Sequence, residues 1–151
     1  MTLAPDASEV LRLAARSQHL CRWEIPRANY EMTRAGYHQW RTHLKKFHAE
    51  KSAGVLRAVN YPEEIVTRVQ DLTLKKDFPT DPESRVLEDA LCLVFLQFQF
   101  ADLAAKTDAE KVINALRKSW QKMTPAGQDH ALKLYYGARE RELLERALGE
   151  R

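Results

Sequence analysis

Glycine is scarce in this chain, five residues in 151, and none of them builds a phosphate-cradling loop or flanks a serine as a nucleophile elbow. A P-loop nucleotide site and a hydrolase of the serine-elbow type are thereby excluded. Alternating apolar and polar runs bounded by turn glycines are also missing, which removes the ordinary signature of a sheet. Long hydrophobic runs are absent too. The longest, Ala90 to Leu96, is far shorter than the roughly 20 apolar residues a helix needs to cross a bilayer, so a soluble protein with no membrane partner is expected. Cysteine occurs only as Cys21 and Cys92, with no secretory leader pattern ahead of them. Both fall in segments that read as helix interior, and the expectation is two buried thiols in a reducing cytoplasm. Neither sign of charge dominates: 24 basic against 21 acidic residues leave a net charge of +3. Charge alone therefore argues against nucleic acid as a partner, and any anion site must be a local cluster.

What is present is helical periodicity over the whole length. With 44% hydrophobic and 30% charged residues, the chain is of a size that forms one domain, 1–151, with residues 1–5 as a flexible tail. The expected class is all-α, a single compact bundle of about six to seven helices. Asp6 and Glu9 fit a capping box for a first helix on Val10, Leu13, Ala14 and Ser17, which must end before Pro26 and would carry His19, Arg22 and Trp23 in its last turns. Tyr37, Trp40, Leu44, Phe47 and Val55 mark a long second helix reaching about Val59. Pro62 and Pro82 each suit a first turn, Asp108 a cap, Thr124-Pro125 another start, and Gly137 a break before the last helix.

The central apolar helix opens on Glu88 and Asp89, two adjacent carboxylates where an unpaired charge would be costly to bury. A metal, a basic cluster or a bound substrate would each supply a partner, and the sequence holds candidates for all three. His19, Arg22, Trp23 and Arg27 crowd a helix end at a proline-stiffened turn, where guanidinium groups suit bidentate recognition of phosphate or carboxylate. Complementarity to the helix dipole and a packed Trp account for the same residues without a ligand. Arg41 and His48 share a face of the second helix and can look into one cavity; the plainer reading is a core histidine and a surface arginine. Lys75 and Lys76 follow a helix end, where they either stabilise the last carbonyls or close over an anion.

The order of His19, His48 and Glu88-Asp89 resembles an HD-type metal-dependent phosphohydrolase. The segments Arg22-Trp23-Glu24-Ile25-Pro26-Arg27, Arg34-Ala35-Gly36-Tyr37, Trp40-Arg41, Phe47-His48-Ala49-Glu50, Leu87-Glu88-Asp89 and Lys118-Ser119-Trp120-Gln121-Lys122-Met123 more closely resemble the family catalogued as domain of unknown function 4202, from about Ser17 to Leu134. The HD resemblance implies a divalent metal, Fe, Mn, Zn or Mg, held by His19, His48 and Asp89 between the first, second and fourth helices. Glu88, Asp89 and His48 would then be catalytic, with Arg22, Arg27, Arg41, Lys75 and Lys76 on the substrate, a phosphorylated small molecule or nucleotide. The chain departs from that pattern at its centre. His38-Gln39 and His48-Ala49 supply no His-Asp pair, and Arg41 would repel a metal and could pair with Glu88 or Asp89 instead. Three readings stay open: a metal-dependent phosphohydrolase, a non-catalytic anion- or nucleotide-binding module, and a structural helical interaction protein with Trp23, Trp40 and Trp120 as anchors. A class I aminoacyl-tRNA synthetase is excluded, since neither the strands nor the length of its nucleotide-binding domain is present.

Overall fold

The computed structural model describes residues 3–149, which are all-helical: eight α-helices and two single-turn 3-10 helices, with no strand among them. The expected tail, 1–5, lies partly outside the described residues, and 3–5 form no helix. Residues 6–84 form one compact unit; 85–149, with 3–5, form another.

In the first unit, α1 (Glu9–Ser17) is capped by Ser8, whose side chain accepts from the Leu11 amide at 3.1 Å. The cap is thus not Asp6, and the helix stops well short of Pro26. A turn and the 3-10 helices Arg22–Glu24 and Arg27–Asn29 carry the chain onward. Cys21, expected inside a helix, instead takes a left-handed conformation, φ 54°, and is only half-buried. Helix α2 (Arg34–Ala58) begins at Thr33, whose hydroxyl accepts from the Gly36 amide. Gly36 cannot carry a side chain, because a Cβ there would run into the carbonyl of Glu31. Helix α3 (Glu63–Leu74) carries Glu63 and Glu64 at its dipole-favoured end and closes on left-handed Lys75, whose amide donates to the carbonyls of Asp71 and Leu72.

Helix α3 packs against both α1 and α2. Leu44, Val66, Val69 and Leu72 are almost fully buried, each contributing about 1.5–3 kcal/mol over an exposed position. Arg68 of α3 bridges Asp81 at 2.5 Å and Glu83 at 3.1 Å, and Tyr61 donates to Glu9 at 2.9 Å. The apolar stripe expected on α2 is only partly buried: Trp40 and Leu44 are inside, whereas Tyr37 and Val55 are exposed.

The second unit holds α4 (Pro82–Phe98, which begins in the last residues of the first), α5 (Phe100–Lys106), α6 (Ala109–Lys122), α7 (Pro125–Leu132) and α8 (Ala138–Gly149). The starts at Pro82, Asp108 and Thr124-Pro125 and the break near Gly137 are where local signals put them. Helix α5 was not expected. Gln99 interrupts the periodic segment with non-helical dihedrals and lets Phe100 turn fully inward. Phe100 lies 6.2 Å from the Phe95 ring and 6.1 Å from that of Tyr136, whose hydroxyl donates to the Ala131 carbonyl. Around it Leu96, Val112, Ile113, Leu116, Leu143 and Leu144 form the core, with α6 and α5 packed on α8. No described helix is long and apolar enough to cross a membrane.

Candidate anion site and the buried carboxylates

The turn after α1 is docked on α2 by three sets of contacts. The Trp40 indole N–H donates to the Ile25 carbonyl at 2.9 Å, Lys51 pairs with Glu24 at 2.8 Å, and the guanidinium groups of Arg22 and Arg27 sit 5.0 and 6.0 Å from the centre of the Trp40 ring. A cation over an indole face is attracted by the ring quadrupole, so Trp40 both anchors the turn and orients Arg22. Arg27 holds the backbone in place, donating to the carbonyls of Tyr30, Glu31 and Thr33 and shaping the approach to α2.

This docking brings His19 and Arg22 to the face of α2 that carries Arg41 and His48. The His19 and His48 rings are 6.3 Å apart. His48 is 5% exposed, and its Nε2 is buried without a hydrogen-bond partner. Burial first, then the positive surroundings of His19, Arg22 and Arg41, pull its pKa down to about 4. His19 is lowered by partial burial and then by the same two arginines. Arg22 is lowered by partial burial and by Arg41, with the Tyr37 phenol acting the other way. Every charged group that acts on His48 is basic. Within residues 6–84, neither Arg22 nor Arg41 has an ion-pair partner among the described residues. The group is graded in burial, with His48 buried, Arg22 half-buried and His19 and Arg41 exposed, and anion recognition is the chemistry such a set of positive groups could perform.

The other expected site residues are employed elsewhere. Lys76 pairs with Asp71 at 2.5 Å, and Lys75 is the C-cap of α3. Neither figures among the groups that shift His19, Arg22 or His48. Trp23, expected as a packed anchor, is 76% exposed, because the 3-10 turn points it away from the segment that Trp40 pins.

Glu88 and Asp89 are buried, 4% and 1% exposed, and in the second unit they do find partners. The Thr124 amide donates to Asp89 Oδ1 at 2.8 Å, and its hydroxyl donates to Oδ2 at 2.5 Å. The same Thr124 oxygen accepts from the Gly127 amide and caps α7. Gly127 is packed so closely that a Cβ would lie 2.5 Å from Asp89 Cγ. Glu88 lies 3.4 Å from Lys122 Nζ. These partners, Lys122, Thr124 and Gly127, carry no local sign of a link to the carboxylates. Thr124 is legible in the sequence as a cap, but nothing local shows that its second partner lies 35 residues earlier.

Both oxygens of Asp89 are occupied by Thr124, and among the described residues no group of three or more His, Cys, Asp or Glu could hold a metal ion. No curated protein and no solved structure matches the chain. Over residues 1–144 it matches the model of one family, and the chain therefore belongs to the family described as Domain of unknown function (DUF4202).

Proposed function

We propose that this protein binds a phosphorylated small molecule or nucleotide, with a phosphate seated among His19, Arg22, Arg41 and His48. The observation that carries the reading is the unpartnered, buried Nε2 of His48 in an entirely basic group. A phosphate dianion would offset the mutual repulsion of Arg22 and Arg41, accept charge-assisted hydrogen bonds from both guanidinium groups and give the His48 imidazole a partner. Trp23 follows Arg22 in the chain and the Tyr37 phenol acts on the Arg22 charge; both rings are exposed, so nucleotides belong among the ligands to test.

Mass action provides the test. Saturating phosphate, nucleotide or sugar phosphate at about 100 times Kd stabilises by about 2.7 kcal/mol, which for a chain of this size raises Tm by about 5–10 °C. The shift should vanish in Arg41→Gln and in Arg22→Gln. Equal shifts in the variants, or no shift in the wild type across all three ligand classes, would overturn the reading.

The metal-dependent hydrolase is a second reading, favoured by two imidazoles 6.3 Å apart whose lowered pKa values keep their nitrogen lone pairs available. Metal analysis of the purified chain decides between the two. Stoichiometric metal that is lost in His48→Gln supports the hydrolase, whereas a phosphate shift that survives chelator supports the binding module.

A further inference from the structure

The basic group around His48 continues along α2. From Met32 to Ala49 the chain has no acidic residue, while Arg34, Arg41, Lys45, Lys46 and three histidines fall in that stretch. Arg34, His38, Arg41, Lys45 and His48 follow at steps of four, three, four and three, which places them on one face of the helix. Arg34, His38, Arg41 and Lys45 are exposed and His48 is buried, so the stripe runs from solvent to the buried imidazole. Its start defies the helix dipole. Helices α1, α3, α4, α5, α6 and α8 each place an acidic residue in the first turn, as the partial positive charge there favours; α7 has none there, and α2 has none and begins on Arg34. Neither Arg34 nor Lys45 has an ion-pair partner among the described residues of its unit. Like charges one turn apart repel, and a basic first turn adds to that repulsion. An anion laid along this face would offset both.

We infer that the ligand of the His48 cluster is an oligophosphate, with one phosphate group among His19, Arg22, Arg41 and His48 and the linked groups against His38 and Lys45, one turn to either side of Arg41. This rests on the phosphate reading above and extends it to a ligand class. The spacing of the stripe is the reason: His38 and Lys45 lie three and four residues from Arg41, about 4.5–6 Å along the axis at 1.5 Å per residue, a step that a linked phosphate covers.

Titration calorimetry of the full chain with orthophosphate, pyrophosphate and tripolyphosphate at constant ionic strength tests it. Tripolyphosphate should bind at least about tenfold more tightly than orthophosphate. The double variant His38→Gln/Lys45→Gln should lose about fivefold or more for tripolyphosphate and less than about twofold for orthophosphate. Lys133→Gln, which removes an exposed lysine at the end of α7, should change neither. Equal affinity for the three anions overturns the inference while leaving the single-phosphate site standing. An equal loss in Lys133→Gln overturns it as well, because bulk charge would then explain the gain. Failure of all three anions to bind sinks the phosphate site itself.

Discussion

His48 is a buried base among cations, and its titration should dominate the acid side of the stability curve. An unfolded imidazole takes up its proton near pH 6.5, whereas folded His48 does so only at about 4. Between those values the unfolded chain binds more protons, so this contribution is fully present above pH 6.5 and is lost as pH falls toward 4. Urea midpoints measured from pH 7.5 to 4.5 should therefore decline, and His48→Gln should flatten the decline; parallel curves for the two proteins would refute the assignment. Arg41→Gln makes a second residue-scale prediction of opposite sign. Arg41 is exposed and repels Arg22, so its removal should leave anion-free Tm unchanged or slightly higher while abolishing the phosphate shift. A residue held only for packing would lower Tm and leave binding intact.

At the scale of elements, α4 and α7 are joined by Asp89 and Thr124. The chain of bonds from the Gly127 amide to the Thr124 oxygen, and from the Thr124 hydroxyl and amide to Asp89, satisfies a buried carboxylate and a helix N-terminus together. Thr124→Val removes the hydroxyl links and should destabilise by about 1–3 kcal/mol, read as a lower urea midpoint at constant slope. Gly127→Ala should cost more, since its Cβ would displace the Asp89 carboxylate rather than delete one bond. Caps such as Asp108 and Thr124 were legible because a side chain and an amide two or three residues apart settle them locally. The rival caps Asp6 and Ser8 were not distinguishable in that way: both are good N-cap residues, and Ser8 prevails where its hydroxyl meets the Leu11 amide and where it also donates to Glu83, 75 residues on. Gln99 marks a similar limit, because its break between α4 and α5 follows from the inward turn of Phe100 in a core built by later helices.

At the scale of the whole molecule, the proposed phosphate site and the buried carboxylates belong to different units of the chain. Phosphate should slow amide hydrogen exchange from His19 to His48 in the first unit, with local openings of α6 and α7 in the second left as they were. Mass spectrometry of exchanged peptides would show this, and protection confined to α6 and α7 would contradict the site. The all-helical class, most helix starts and the shared face of Arg41 and His48 were determined by the sequence alone, because helical periodicity, caps and i to i+4 spacing act over a few residues. Tertiary structure alone decided how the candidate charges are used. Arg27 is spent on backbone carbonyls, Asp89 on Thr124 and Lys76 on Asp71, while His48 is left buried with an open nitrogen among cations. The physical reason is that a charge or a hydrogen-bonding group acquires its role from the partner it meets, and for Asp89 and His19 that partner lies about 30 residues away in the chain, where no local spacing rule reaches.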